Sequence, residues 1–414
     1  MLSASETSGV ENLTREARAG EWIRLLTSIP ARFAGTASER AAAERVAEWS
    51  RQLGAREVSL APVPAPPKPG AVLALHMGIA AVCLYLGGFL AAVVATALAW
   101  SFRSDFRLHK PALSRLLSTT QSINVISRFG SDNPARRVIL TAHIDTTQAG
   151  WLFSEQLANF FSFISGGERR DGKPPFGPIL LPEIAMTAAA LLTIASWMGA
   201  HGMFFALLEL FTLGMLVFGT VTTLQWATAP PTPGANDNAS AVAAMLTCAE
   251  RLLTNLPGDV ELWCVGTGAE EVGCVGMKRL LDTHPEWSRE STFFVNFECV
   301  GGGALHWVRT EGLLAKGGYP PMLIDLARRV AAGGKYGDIT PVDLMAATDG
   351  HVPAALGFPT LALISLQPNG VPLNYHRLED TADAIDCGLV VRSADFGAAV
   401  ATAALAGKAG TIDG

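Results

Sequence analysis

Histidine and carboxylate side chains follow several apolar segments of the chain, at points where strands of a sheet would end. His143 and Asp145 come after the run RRVILTA, and residues two apart on a strand face the same way. Such a histidine could bind a metal while the aspartate holds its other ring nitrogen. Asp237 precedes a helical segment, and Glu298 ends the run TFFVNFE. A surface His-Asp pair, a helix N-cap and a strand end are the structural alternatives.

Two further segments add to this set of polar residues. Glu270 and Glu271 are adjacent in the loop GTGAEEVG, and neighbouring carboxylates repel each other unless cations are near. His376 lies in NYHRLEDTAD, with Asp380 four residues later. A solvated loop or a surface turn would explain each segment alone. Together, histidines and carboxylates without cysteine are typical ligands of a catalytic zinc ion.

Strands and helices alternate in the segments that must position these residues. The predicted strands are Asn124–Arg128, Arg137–Thr141, Val260–Val265, Thr292–Phe297 and Thr360–Ser365, and the predicted helices are Glu21–Leu53, Ala239–Leu253 and Met322–Ala332. Apolar strands separated by helices favour an α/β fold with a doubly wound, mostly parallel central sheet and helices on both faces. Ligands in such folds bind at the carboxyl ends of the strands.

Three long apolar stretches interrupt this pattern: Ala71–Trp100, Ile179–Ala200 and Met203–Trp226. The whole chain is 49% hydrophobic and only 16% charged, with a mean hydropathy of +0.29. A helix that spans a membrane needs about 20 apolar residues. We therefore expect the second and third stretches to form a transmembrane hairpin, with buried helices of a large soluble core as the alternative. The first stretch is either one span or a hairpin bent at Gly87–Gly88, although halves of about 14 residues would be too short to span straight.

These stretches divide the chain into three predicted parts. Residues 1–70, 101–178 and 227–414 would form one discontinuous α/β domain that carries the candidate metal ligands, residues 71–100 a membrane insertion and residues 179–226 a transmembrane hairpin. The Pro-rich segments Ala61–Pro69 and Ala229–Pro233 would be linkers. Basic residues flank the apolar stretches and predict a multi-pass membrane protein whose catalytic domain faces the cytoplasm: Arg103, Arg107, Lys110, Arg115, Arg169, Arg170 and Lys173.

Charge and cysteine content limit the remaining functional classes. The net charge is −6, and no basic run with interleaved aromatic residues indicates a nucleic-acid partner. None of the six cysteines forms a CxxC pair, so a reducing compartment is expected. The first twenty residues are polar and do not resemble a secretory signal. The sequence leaves the oligomeric state open.

Five segments in order carry a resemblance to a known family: TAHIDT, GANDNASAVAAMLTCAERL, GTGAEEVGCVG, NFECVGG and YHRLEDTAD. They resemble the motif series of metallopeptidase family twenty-eight, which contains bacterial leucyl aminopeptidases and glutamate carboxypeptidase II. The resemblance covers roughly residues 11–60, 122–150 and 233 to near the C-terminus, and the apolar stretches fall outside it. It implies a zinc exopeptidase fold that holds two Zn²⁺ ions per chain.

The resemblance also implies a role for each matched residue. One zinc would be bound by His143, Asp237 and Glu298, and the other by Asp237, Glu271 and His376. Glu270 would be the general base. Asp145 would orient His143, and Asp380 would support His376. The family usually has aspartate where this chain has Glu298, which leaves metal spacing and occupancy open. Tyr375 is a candidate oxyanion donor.

The function implied is that of a membrane-bound, zinc-dependent exopeptidase with a peptide substrate and the lipid bilayer as partner, and aminopeptidase action is favoured. A catalytically silent membrane scaffold of the same fold and a glutaminyl-cyclase-like acyl transferase are the alternatives. Substrate side-chain preference is not visible in the sequence.

Overall fold

A mixed β-sheet organises the chain in the computed structural model, which describes residues 14–106, 112–117, 119–157, 179–312, 317–344 and 346–407. The strands are β1 Glu57–Ala65, β2 Thr120–Gly130, β3 Arg136–His143, β4 Val260–Thr267, β5 Thr292–Glu298, β6 Ala304–Glu311, β7 Gly317–Gly318, β8 Thr340–Asp343 and β9 Thr360–Leu366. Their order in the sheet is β1-β2-β4-β3-β5-β9-β6-β7, and β8 pairs with β6.

Four neighbouring strands at the centre of the sheet, β4, β3, β5 and β9, run parallel to one another. On either side of this centre the pairing is antiparallel, between β1 and β2, β2 and β4, and β6 and β9. All residues of β4, β5 and β9 are buried, which is typical of strands covered on both faces. The predicted α/β class is therefore confirmed, with antiparallel strands flanking the parallel centre. Parallel pairing brings the carboxyl ends of β3 and β5 to the same edge.

Helices cover both faces of the sheet. The α-helices of at least five residues in the described part of the chain are α1 Arg15–Thr27, α2 Ala37–Gln52, α3 Pro69–Leu86, α4 Gly88–Phe106, α5 Leu180–Trp197, α6 Met203–Thr228, α7 Ala241–Leu253, α8 Val275–Asp282, α9 Pro321–Ala332, α10 His351–Ala355 and α11 Cys387–Gly407. Helices α1, α2, α7, α9 and α11 share one core with Val138 and Leu140 of β3. Ile139, between those two residues, faces the opposite core, which contains α8.

Two predictions for the N-terminal region are wrong. The segment Glu21–Leu53 is two helices, because residues 28–36 contain Pro30 and Gly35, and Gly35 has a φ of 80°. Thr36 caps α2 by accepting the N–H of Glu39 at 3.1 Å. The Pro-rich segment Ala61–Pro69 is only partly a linker, since its first five residues belong to β1. This strand lies at the sheet edge, where proline is tolerated.

The first apolar stretch forms a hairpin of α3 and α4, which meet at Gly87–Gly88 with φ values of 64° and 84°. The expectation that each half would be too short is wrong, because the helices extend outward to Pro69 and Phe106. They contain 18 and 19 residues. At 1.5 Å per residue each is about 27 Å long, close to the ~30 Å thickness of a hydrocarbon core.

A second hairpin, α5 and α6, packs beside the first. Helix α3 approaches α6 closely at Gly219, where an added Cβ would lie 2.6 Å from Met77 Sδ. The rings of Phe89 and Trp197 are 5.2 Å apart and join the two hairpin turns. Gly70 of α3 lies close to Thr223 of α6, and Arg103 of α4 lies 3.7 Å from Glu183 of α5. The open ends of both hairpins therefore lie together, and both turns lie at the opposite end of the four-helix bundle.

The outer surface of this four-helix bundle is apolar. Large apolar side chains that are at least half exposed include Tyr85, Leu90, Leu191, Phe204, Leu210, Phe211 and Val221. The four helices, and also α11, are long and apolar enough to cross a membrane. Helix α11 instead buries Val390, Phe396 and Val400 in the α/β core. Among the predicted basic flanks, Arg107, Lys110, Arg169, Arg170 and Lys173 lie outside the described residues, and Arg103 lies 3.7 Å from Glu183.

Candidate metal centre

The carboxyl ends of β3 and β5 bring three predicted ligands together. His143 ends β3 and Glu298 ends β5, and these two strands are parallel neighbours. His143 Nε2 lies 3.2 Å from Glu298 Oε1 and 3.2 Å from Asp237 Oδ1. The three side chains are buried. The extra methylene of Glu298, relative to aspartate, therefore still allows its carboxylate to reach the histidine.

A second group of ligands shares Asp237 with the first. His376 Nε2 lies 3.1 Å from Asp237 Oδ2 and 3.3 Å from Glu271 Oε2. The ligand atoms within each group of three all lie within 4.8 Å of one another. Asp237 thus directs one carboxylate oxygen at each group. This is the arrangement expected of a carboxylate that bridges two cations.

Asp237 is held by its backbone in the irregular segment Ala235–Ser240, which precedes α7. Asp380 accepts the N–H of Asn236 at 2.6 Å and the N–H of Asp237 at 3.1 Å. The prediction that Asp380 supports His376 is therefore not borne out by this geometry. Its carboxylate positions the shared ligand instead.

Arg32 supports the same region and was not predicted from the sequence. Its guanidinium donates to the carbonyls of Ile144, Pro233 and Gly234 at 3.1, 3.0 and 2.9 Å. Burial lowers the pKa of Arg32 to about 10, although nearby carboxylates raise it. Arg32 lies between α1 and α2, and these three partners are more than one hundred residues away in the sequence. No local pattern identifies such a residue.

Asp145 positions the loop that carries two adjacent glutamates. Its Oδ1 accepts the N–H of Glu270 at 3.2 Å, and its Oδ2 accepts the N–H of Glu271 at 3.1 Å. The Nδ1 of His143 lies 3.1 Å from the backbone oxygen of Asp145 and 3.6 Å from its carboxylate. The expected contact with His143 is thus made mainly by the backbone, and the side chain orients Glu270 and Glu271.

Glu270 lies beside both groups of ligands without belonging to either. Its Oε2 is 3.9 Å from His143 Nε2, and its Oε1 accepts a hydrogen bond from the thiol of Cys274 at 3.3 Å. Burial raises the pKa of Glu270 well above its usual range, and the nearby carboxylates of Glu298 and Asp349 raise it further. Such a carboxyl group holds a proton more readily than a solvent-exposed glutamate does.

The buried charges of the centre fit a pair of cations. Glu271 Oε1 and Glu298 Oε2 are buried and have no hydrogen-bond partner among the described residues. Burial raises the pKa of both carboxyl groups. Burial lowers the pKa of His376, but Glu271 and Asp237 raise it more, to about 10. Bound cations would offset this excess of buried negative charge, and imidazole and carboxylate ligands suit zinc.

Three aromatic rings surround His376: Phe153, Trp226 and Tyr375. Their centroids lie 4.4, 6.3 and 3.8 Å from the imidazole. Trp226 belongs to the last turn of α6, and its Nε1 donates to the carbonyl of Gln148 at 3.1 Å. The hairpin of α5 and α6 therefore contacts a predicted metal ligand directly, which the sequence did not indicate.

Part of the chain matches a family of known proteins. Residues 220–401 match the family model described as Peptidase family M28. That segment contains five of the predicted site residues from Asp237 to His376, whereas His143 and Asp145 lie before it. The aminopeptidase YwaD of Bacillus subtilis (strain 168) is 37% identical over 81 residues. This stretch is 19% of the present chain and 17% of that relative, so the chain matches only a small part of its length.

Solved structures resemble the whole chain at low sequence identity. An aminopeptidase from Aneurinibacillus sp. strain AM-1 is 16% identical with a TM-score of 0.56, covering 95% of each chain. BSAP, a zinc aminopeptidase from Bacillus subtilis, is 15% identical with a TM-score of 0.54, covering 94% of this chain and 95% of that one. A glutaminyl cyclase from Tannerella forsythia is 14% identical with a TM-score of 0.53, covering 92% and 96%. The resemblance found in the motifs is thus confirmed for residues 220–401, which match the peptidase family M28 model, and the solved structures show the same fold for most of the chain.

Proposed function

We propose that the chain is a membrane-bound aminopeptidase that uses two zinc ions. The observation that supports it most is the position of Asp237, whose two carboxylate oxygens each lie within 3.2 Å of a different histidine. Two ligand groups that share one carboxylate suit paired metal ions about 3.5–4 Å apart. His143 and Glu298 would complete one site, and Glu271 and His376 the other.

The residues around the ligands would then carry out peptide hydrolysis. Zinc ions bound there would acidify a shared water and polarise the carbonyl of the scissile bond. Glu270 would accept the proton of that water on its carboxylate and return it to the departing amine. Its burial and its place beside both groups of ligands support this role.

Other residues would position these groups rather than react. Asp145 would orient Glu270 and Glu271 through their backbone N–H groups, and Asp380 would hold Asp237. Tyr375 lines the cavity beside His376 and stays our candidate for stabilising the oxyanion.

The helix bundle supports the assignment to a membrane. Soluble monomers rarely expose apolar patches larger than a few hundred Å², and all four helices of the bundle carry exposed apolar side chains. The open ends of both hairpins lie together, so residues 71–100 and 179–226 would each cross the bilayer twice, and the α/β domain formed by the rest of the chain would lie on one side. Arg103 and Arg115, near the end that joins the sheet, favour the cytoplasmic side.

Two other functions are consistent with the fold. A silent scaffold would need no complete ligand set and no base, yet both ligand groups and Glu270 are in place. A glutaminyl cyclase would use one zinc, whereas the shared Asp237 favours two. Because some of the similar structures are glutaminyl cyclases, cyclisation of N-terminal glutamine belongs in the assay.

The deciding experiment combines a zinc count with product analysis on detergent-purified protein. We expect two zinc ions per chain and release of leucine from Leu-Ala-Ala. Glu270→Gln should retain both ions and lose at least about a hundredfold in kcat. One zinc ion with cyclisation of N-terminal glutamine would indicate a cyclase, and protein without zinc that cleaves no peptide would indicate a scaffold.

A further inference from the structure

One cavity connects the ligand groups with the helix bundle. Its volume is about 2320 Å³, and pockets for small ligands usually have about 300–1,000 Å³. Asp237, Glu270 and His376 line it. Apolar side chains of α3, α5 and α6 line it as well. The space exceeds what a single amino acid residue beside the metal ligands would occupy.

A single face of α6 extends along this cavity. Met215, Phe218, Thr222 and Trp226 all line it, and their spacing of three or four residues places them on one side of a helix. The distance from Met215 to Trp226 is about 16 Å at 1.5 Å per residue. An extended peptide rises about 3.3 Å per residue, so this face matches about five residues of substrate. We call it the helix wall.

The helix wall offers no charge to a bound peptide. Among the described residues of α3, α5 and α6, those that line the cavity are uncharged, and charged residues of the lining such as Asp105 and Arg115 lie on other segments. Glu183 of α5 and Glu209 of α6 do not contribute to the lining. Charged side chains placed against this wall would lose their hydration without gaining a partner. Apolar side chains would gain contact area instead.

We propose that the helix wall binds about five consecutive apolar residues of the substrate, so that the chain acts on peptides whose N-terminal segments partition into lipid. This inference rests on the aminopeptidase function proposed above. We identify the occupant as the peptide substrate because the helix wall leads directly to the ligand groups: it ends at Trp226, whose ring stacks on His376. A peptide with its first bond at the ligand groups would extend along α6 toward the bundle.

The test compares two substrates in vesicles of phosphatidylcholine and phosphatidylglycerol. One is the short peptide Leu-Ala-Ala, and the other begins with leucine and five further apolar residues before a lysine tail. Phe218→Ala removes a lining ring that is 59% exposed. Phe211→Ala is the matched control on the same helix, with a ring that is 67% exposed and outside the lining.

We expect Phe218→Ala to lower kcat/KM for the long apolar peptide about tenfold, the effect of one lost apolar contact in a pocket. Leu-Ala-Ala extends only about 10 Å, so its hydrolysis should fall less than that of the long peptide, and Phe211→Ala should affect neither substrate. Met215→Ala is a second variant of the lining, and zinc content checks that each variant is folded. Equal kcat/KM values for both phenylalanine variants would overturn the role of the helix wall while the peptidase stands. Zinc-loaded wild-type protein that cleaves neither peptide would overturn the aminopeptidase function itself.

Discussion

Asp380 accepts the backbone N–H of Asp237 at 3.1 Å and so fixes the one carboxylate that faces both histidines. It also accepts the N–H of Asn236 at 2.6 Å. A carboxylate outside the ligand groups therefore determines the position of the residue that joins them.

Replacing Asp380 should weaken metal binding without removing a ligand. Asp380→Ala leaves two buried N–H groups without an acceptor, and such supporting changes typically lower metal affinity by about 10–100-fold. Zinc affinity can be measured by competition with a chelator. Asp380→Asn should restore part of the affinity, because one oxygen can still accept. Glu379→Gln is the control, since its side chain is 62% exposed, and an Asp380→Ala variant with unchanged zinc affinity would refute the positioning role.

Replacing Glu298 should remove one of the two proposed metal ions. Glu298→Ala deletes the carboxylate 3.2 Å from His143 while it leaves Glu271 and His376 in place. We expect elemental analysis to show about one zinc per chain instead of two. Glu298→Asp should retain both ions, because it keeps the carboxylate that the family usually has. A full complement of zinc in Glu298→Ala would contradict the ligand assignment.

Glu311 should make stability depend on pH. Burial raises its pKa from 4.5 to about 8, while Tyr319 donates a hydrogen bond to it at 2.7 Å. The folded chain therefore binds a proton that the unfolded chain releases between pH 4.5 and 8, so stability decreases as pH rises through this range. The slope is at most about 1.4 kcal/mol per pH unit.

The check for Glu311 is the difference in thermal stability between wild type and Glu311→Gln at several pH values. The glutamine keeps an oxygen for Tyr319 and does not titrate. The variant should gain stability over wild type as the pH rises from about 5 to 8. A difference that is constant over this range would show that Glu311 titrates normally.

Cysteine labelling should place the hairpin turns and the α/β domain on opposite sides of the membrane. The described native cysteines are buried or half-buried, so added cysteines can be distinguished from them. Phe89, beside one turn, is 61% exposed, and Leu378 in the α/β domain is 51% exposed. With intact cells, an impermeant maleimide should label Phe89→Cys and spare Leu378→Cys. Detergent permeabilisation should make both introduced cysteines accessible to the maleimide. Equal labelling of the two before permeabilisation would contradict the topology.

The sequence predicted the parts of the site that depend on strand ends. His143 and Glu298 could be identified because each follows an apolar strand, and parallel strands end at one edge. The position of Glu271 beside His376 followed from the motif series rather than from any local pattern. The fold class followed from alternating apolar strands and helices.

Long-range contacts account for what the sequence did not predict. Arg32 contacts residues that are over one hundred positions away, and Asp380 supports Asp237 rather than its near neighbour His376. The sequence did not decide between a single span and a hairpin in the first apolar stretch. The lengths of the two helices depend on Pro69 and Phe106, which lie outside the uncharged run. In each case three-dimensional packing determines the partner.

Trp226 gives the helix bundle a part in the shape of the metal centre. Its indole stacks on the His376 ring and is fixed by a hydrogen bond to the carbonyl of Gln148. A shortened protein that lacks residues 179–226 would lose this ring and open one side of the imidazole to water. A water-soluble version of this domain would therefore need a replacement for that indole as well as a new polar surface.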